Sequence, residues 1–343
     1  MLRLERGRVR SAGPTAPGEQ ELSVELADGE HPALADVALV GGCEVGDEVI
    51  VNVAARELGL GSGGFDIVHV NVTRGLGAPR TAAARVLKLN YTSLQHEVDP
   101  VEASAGETAT RIELAGAPVA VLALHGQLAA VAWAAAPARI GYVQTAGGAL
   151  PGSHSRTVRE LRERNLLADH ITAGPAFGGS SGDAVTTAGA LHHGFARLGW
   201  EAAICGPGPG IVGSGSHLGH GGLAALDSAH AALALGAATL VVPRMSSNDP
   251  RPEHRGLSHH SRSVLELLLA RAIVALPAGA PVPELRGHAH DWRERPVDLD
   301  GYAASGLPSE VMGRALRDDA LFFATALAGG AVLGELAAAR RRS

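Results

Sequence analysis

The sequence predicts a small antiparallel β-barrel, SH3-like or OB-like, over residues 1–112 with its linker, followed by a mainly parallel, Rossmann-like α/β domain over residues 113–343. Three observations predict it. Up to about residue 112, short runs alternate apolar and polar residues with period two between close turns. Beyond it, strand-length apolar runs alternate with helical patterns, the signature of a parallel sheet wrapped by helices. Between the two textures lies Asp99–Thr110, rich in Ala, Glu and Thr, which reads as the linker.

In the first half, Arg6–Arg10, Gln20–Leu26, Glu48–Val53, Phe65–Val72 and Arg85–Tyr91 roughly alternate, punctuated by Asp28-Gly29, Gly41-Gly42, Gly46-Asp47 and Gly63-Gly64. Five short strands with close turns suit a small barrel. In the second half the expected strands are Pro118–Leu124, Ile140–Thr145, Asp169–Ala173, Ala202–Cys205, Thr239–Pro243 and Ala272–Leu276. The expected helices are Gln127–Ala135, Ser155–Arg164, Asp183–Leu198, Gly222–Leu235 and Ser261–Ala270.

Composition narrows the function classes. The apolar fraction of 46% excludes wholesale disorder, and with aromatics at 3% the packing relies on small side chains. A formal net charge of −6 with interspersed signs leaves no nucleic-acid footprint. The two cysteines, Cys43 and Cys205, stand far apart, which excludes a disulfide framework and a cysteine-only zinc site. Cys205 reads as a small buried residue ahead of a reactive one. The N-terminus lacks the apolar stretch of a secretory signal. The apolar run Val119–Ala136 is interrupted by His125, Gly126 and Gln127, so it reads as a buried strand passing into a helix. A cytoplasmic chain without a membrane partner is expected.

The unusual residues fall in comparable places, each just after an expected strand. His125-Gly-Gln127 follows the first, Thr145–Pro151 the second and Gly174–Gly182 the third. The glycine-dense stretch Cys205–Gly222 contains the fourth loop, and Arg244–Ser261 follows the fifth. Parallel sheets bind ligands at the carboxyl ends of their strands, so all five loops point to one edge. A glycine loop opening a helix suits an anion, because backbone N–H groups approach closely and the helix terminus carries partial positive charge. The stretch lacks Gly-Lys-Ser/Thr, and Pro243-Arg244 stands where a ribose-binding acid belongs, which argues against a P-loop and a standard NAD site.

Ligand contacts are therefore expected from Gly208, Gly210, Gly213, Ser214, Gly215 and Ser216, from Thr145, Gly147, Gly179 and Ser180, and from Arg244 and Arg255. His125, His259 and His260 are the candidate acid/base groups, and His217 and His220, three apart at a helix start, the candidate ligands of a divalent metal. Each histidine taken singly reads as a hydrogen-bonded loop residue, and His259-His260 as a helix start capped by Ser258. Asp249, Glu253 and Asp183 are the nearest carboxylates, Asp183 with a competing role in a first helical turn. Gly178-Gly-Ser-Ser-Gly182 has the form of a nucleophile elbow, but Gly174–Phe177 separate it from its strand, so ligand contact ranks ahead of a nucleophilic serine.

Several stretches together resemble the DUF3866 family of actinobacterial and related proteins: Gly63–Gly77, Lys88–Gln95, Leu124–Leu128, Gly206–His220 and His254–His260. The resemblance covers most of the chain and implies no mechanism. The family pattern places an acid in the second loop, as Thr-Asp-Gly, where this chain has Thr145-Ala146-Gly147. That acid is either catalytic, which implies a weakened site here, or a turn residue.

Two readings follow. One is an enzyme, a hydrolase or transferase acting on a small phosphate- or carboxylate-bearing metabolite. The other is a regulatory or scaffold protein whose glycine loop senses a ligand and whose Ala/Gly-rich helices, Leu321–Leu336 among them, build a homo-oligomer. Loop histidines gathered round one cleft favour the first; dispersed, solvated histidines favour the second.

Overall fold

The computed structural model describes residues 1–15, 18–59, 64–77, 85–103, 113–287 and 289–342. The chain forms two compact units, Met1–Val98 and Asp99–Ser343. Residues 104–110 of the expected linker lie outside the described residues, as does Gly63 of the expected Gly63-Gly64 turn. The linker's first residues belong to the second unit, where the Val101 N–H donates to the Asp183 carbonyl at 2.8 Å.

In the first unit, β1 (Leu4–Ala12), β2 (Glu19–Leu26), β3 (Gly29–Asp36), β4 (Glu48–Asn52) and β5 (Asp66–Asn71) close a barrel in the order β1-β2-β3-β5-β4. All pairs are antiparallel except β3 with β5. That order with one parallel closure is the OB-like alternative. Val9, Leu22, Val24, Leu26, Val49, Val51 and Val68 fill the interior. Short helices α1 (Val37–Val40) and α2 (Ala54–Glu57) connect strands, α1 capped by Asp36 Oδ1, which accepts from the Ala38 and Leu39 N–H groups.

One barrel strand differs from expectation. Arg85–Tyr91 stays outside the barrel: β6 (Val86–Lys88) pairs with β7 (His96–Val98) in a separate hairpin. The chain turns at Leu89 and Tyr91, both with positive φ. Its place is taken by β3, which the pattern hides because Pro32 interrupts it and Ala33–Asp36 are all buried without alternation.

The second unit holds an eight-stranded sheet. Its strands are β8 (Pro118–Leu122), β9 (Ile140–Thr145), β10 (Asp169–Ala173), β11 (Asp183–Ala184), β12 (Ala202–Pro207), β13 (Ala238–Val242), β16 (Ile273–Pro277) and β17 (Asp291–Arg295). Two two-residue hairpin pairs lie apart from it: β14 (Met245–Ser246) with β15 (Gly256–Leu257), and β18 (Glu310–Val311) with β19 (Arg314–Ala315). The order is β11-β10-β9-β12-β8-β13-β16-β17, and every neighbouring pair is parallel. The first strand, β8, stands inside the sheet and the winding reverses there, the arrangement in which parallel sheets commonly bind ligands at the carboxyl edge.

Helices cover both faces. Ala120 and Leu122 of β8 face α3 (Leu128–Ala134), α4 (Arg156–Glu163), α8 (Leu299–Ala304) and α9 (Ala320–Arg342). Val119 and Val121 face α5 (Thr187–Ala196), α6 (Ala224–Ala234) and α7 (His259–Leu267). Among the described residues α9 is the one helix long and apolar enough to cross a membrane, by length and composition, and 67% of its apolar window is buried inside this chain. Phe322, Phe323, Leu327, Val332 and Leu333 spend on this core much of the apolar surface that Leu321–Leu336 offered as an oligomer face.

Candidate functional site

Because the sheet is parallel, the loops after β8, β9, β10, β12 and β13 leave from one edge. Two of them touch backbone to backbone. A Cβ added to Gly147, whose φ is 111°, would lie 2.2 Å from the Gly221 carbonyl oxygen, and one on Gly221 would lie 1.8 Å from the Gly147 carbonyl oxygen. Only glycine at both positions allows that approach. It sets the height at which the next residue but one before Gly222, His220, meets the edge.

Residues 213–220 turn back on themselves. The Ser214 N–H donates to the Gly219 carbonyl at 2.7 Å, the Ser214 hydroxyl to the same carbonyl at 3.0 Å, and the Gly219 N–H to Ser216 Oγ at 2.9 Å. Gly215 takes positive φ within this segment and Gly210 just before it, and Gly208 packs against the Ala149 carbonyl. The stretch read as an anion cradle is thus a closed, mostly exposed turn whose serine hydroxyls bond within it. Ser263 of α7 donates to the His217 carbonyl at 2.9 Å and ties the turn to that helix.

Helix α7 is capped by Ser258, whose Oγ accepts from the His260 N–H at 3.3 Å and lies in hydrogen-bond contact with His254 Nδ1 at 2.7 Å. These ties gather five histidines. The His220 and His260 rings stack with centroids 4.0 Å apart, and His259 lies 4.3 Å from His260 and 4.7 Å from His254. His217, exposed, lies 5.7 Å from His259. His220, His254, His259 and His260 are buried. One ring nitrogen from each of His220, His259 and His260 falls within 4.8 Å of the other two. Both nitrogens of His220 and Nδ1 of His259 find no hydrogen-bond partner among the described residues. Leaving a buried polar atom unpaired costs about 1–3 kcal/mol, so the arrangement is expensive unless something binds there.

Burial first, then the neighbouring imidazoles, lowers His260 to about 2. Burial first, then Arg244 and Arg251, lowers His254 to about 4; burial also lowers His220 and His259. The buried imidazoles are therefore neutral at neutral pH, with lone pairs available.

Beside them runs a chain of buried charges. Arg244, 1% exposed, donates to Asp249 Oδ2 at 2.8 Å, and its Nη1 lies 3.5 Å from His260 Nδ1. Arg251 and Arg314 also donate to Asp249, and Arg314 continues to Asp319 at 3.0 Å. Asp319 further accepts from the Ser246 hydroxyl and the Ser247 N–H. Burial brings Arg244 down to about 10. Burial works to raise Asp249, but hydrogen bonds from Arg251 and the Arg251 and Arg244 charges hold it far below the usual carboxylate range. The Arg244 charge is committed to Asp249; Arg255, exposed, anchors only its Nε, on the Asp249 carbonyl at 2.9 Å.

A family described as "Protein of unknown function (DUF3866)" matches residues 32–330 of the 343-residue chain. The chain belongs to the DUF3866 family. No curated protein and no solved structure matches it.

Other expected residues of this DUF3866 protein lie elsewhere on the edge. His125 is buried against Tyr142, with Nδ1 3.1 Å from the Pro207 carbonyl and Nε2 2.8 Å from Ser155 Oγ. Both nitrogens are occupied, and burial lowers it to about 4, so it braces strand ends and the cap of α4. Thr145 is buried, its hydroxyl on the Ala146 carbonyl. Gly179 packs against the β10 backbone, and Ser180 and Ser181 accept from Arg162. Asp183 sits in β11, accepting from the Thr172 hydroxyl and the Gly178 N–H, because α5 begins later with Thr186 as its cap. Glu253 is exposed beside His254. Sequence reasoning missed Arg314 and Asp319, which lie 65 and 73 residues beyond their partners Asp249 and Ser246. Their only local signal is the charge-dense run Arg314–Asp319.

Proposed function

We propose that this DUF3866 protein is a cytoplasmic enzyme that binds a small anionic metabolite, bearing phosphate or carboxylate, at the carboxyl edge of its parallel sheet. The observation that carries the reading is the gathering of five loop histidines at that edge, four of them buried and neutral. Imidazoles held neutral by burial keep their lone pairs free at neutral pH, and a set with unused nitrogens is arranged to bind rather than for solvation. His217 stands exposed beside the buried four, within reach of a ligand from solvent. Arg255 brings an exposed positive charge close by, and the start of α7 adds the partial positive charge of a helix N-terminus. The favoured chemistry is hydrolysis or transfer of a phosphate group: the attacking hydroxyl oxygen bonds to phosphorus and gives its proton to an imidazole, while the P–O bond to the leaving group breaks and that oxygen departs with the electron pair, to be protonated from solvent. Two free, buried cysteines and the burial of α9 support the cytoplasmic part.

Thermal unfolding against inorganic phosphate, nucleotides, phosphorylated metabolites and carboxylates tests the reading. A ligand at about a hundred times its dissociation constant adds about 2.7 kcal/mol, visible as a raised midpoint. The expected hit is weakened by His217→Ala and Arg255→Ala while the unliganded midpoint stays put. No shift with any compound favours the scaffold reading.

A further inference from the structure

We propose that His220, His259 and His260 form a site for one divalent transition-metal ion of the zinc class, with a fourth position open to water or an anion. The metal site stands on its own geometry; only the anion at the fourth position rests on the function proposed above.

The donor set is the first argument. It is three neutral imidazoles with no carboxylate, which suits zinc and its neighbours and does not suit magnesium or calcium, both of which require oxygen. Three protein ligands leave tetrahedral coordination one short, the pattern of a catalytic rather than a structural zinc. Metal–nitrogen distances of about 2.0–2.1 Å place tetrahedral donors about 3.4 Å apart. The three nitrogens lie within 4.8 Å of one another, and ring rotations that part the stacked His220 and His260 rings bring them to the tetrahedral spacing.

The second argument is the unused nitrogens. His220 is 7% exposed and neither of its nitrogens has a partner among the described residues; His259 is 8% exposed and its Nδ1 has none. Ligation satisfies the donor nitrogens directly. Space is kept for it: a Cβ on Gly222 would stand 3.2 Å from His220 Nδ1 and 3.5 Å from His260 Nδ1.

The third argument is preorganisation. Two adjacent residues of the first turn of α7 supply His259 and His260, held by the Ser258 cap, and the Ser263–His217 hydrogen bond holds the loop that supplies His220. Such supporting bonds fix the backbone positions of the three ligands without the ion and leave only the rings to turn. Neutral ligands leave the ion its full charge, so the open position prefers hydroxide or an anion.

The test uses the full chain, stripped with a chelator and titrated with Zn²⁺ or Co²⁺. Metal content and calorimetry should give one ion per chain, and Co²⁺ should show the intense visible bands of a four-coordinate site. His220→Phe and His260→Phe keep the stacked rings and remove the donors. Each should weaken binding at least a hundredfold while the metal-free variant melts no lower than metal-free wild type. His69→Gln, in the barrel, should bind as wild type. Absence of stoichiometric binding to the wild-type chain overturns the proposal, as does unchanged affinity in both Phe variants. Should a variant fail to fold, the Co²⁺ spectrum of the wild-type chain decides: weak six-coordinate bands overturn it. Inorganic phosphate added to the Co²⁺ form separates the two readings. One bound metal with unmoved bands and no ligand in the unfolding panel removes the anion-binding function and leaves the metal site. Anion binding without metal does the reverse.

Discussion

The buried charges beside the histidines make an asymmetric prediction. Asp249, 0% exposed, accepts from three guanidinium groups, those of Arg244, Arg251 and Arg314. Asp249→Ala leaves Arg244, 1% exposed, with only the Met312 sulfur and the His260 ring within reach of its Nη groups among the described residues. Breaking a buried pair this way costs about 3–5 kcal/mol, because the remaining charge has lost both water and its counterion. Arg244→Met is milder, since Asp249 keeps Arg251 and Arg314; one charge-assisted bond is lost and one desolvated cation removed, for about 1–2 kcal/mol net. The double variant should cost at least about 1 kcal/mol less than the two singles together. Urea unfolding followed by tryptophan fluorescence reads the second unit alone, as Trp133, Trp200 and Trp292 all lie there. An Asp249→Ala variant no less stable than Arg244→Met would refute the reasoning.

Three further outcomes are expected. Gly221→Ala drives a methyl into the Gly147 carbonyl and should cost about 1–3 kcal/mol in urea unfolding, with at least tenfold weaker metal binding as His220 shifts; unchanged stability contradicts the close approach. His125→Ala should lower stability by at least about 2 kcal/mol, because it strips Ser155 and the Pro207 carbonyl of a buried partner, so any loss of turnover should track unfolding; loss of activity in a variant as stable as wild type contradicts the bracing role. In the barrel, burial opposes ionisation of Asp47, but hydrogen bonds from Arg74, the Glu44 N–H and Asn71 bring it down to about 2. Its folded pKa lies below its unfolded one, so it stabilises fully above about pH 4 and loses that contribution as pH falls through about 2; screening at the half-exposed Arg74 limits it to about 1–2 kcal/mol. Amide exchange in β1 and β4 should lose that acid sensitivity in Asp47→Asn, and an unchanged pH profile contradicts it.

What the sequence revealed and what it hid have physical causes. The change of hydrophobic period marks the passage from barrel to parallel sheet, and the buried central strands β8, β9, β10 and β12 are short apolar runs that read directly. Strand β17, Asp-Trp-Arg-Glu-Arg, stayed hidden because it is an edge strand that alternates only weakly. Helix α9 has no polar stripe because the sheet and α3 both cover it. At the candidate site, the density of histidines in the loops after β12 and β13 is visible in the sequence, as is the Ser258 cap. Which histidines share a centre was not, since that depends on the Gly147–Gly221 approach and the Ser263–His217 tie, both between distant segments. His125 looked equivalent to His259 until its two hydrogen bonds were seen.

X-ray absorption at the zinc edge, on the full chain carrying one equivalent of Zn²⁺, addresses the histidine centre most directly. The account predicts three imidazole nitrogens at about 2.0–2.1 Å with one further light ligand. A six-oxygen shell without imidazole scattering would contradict it.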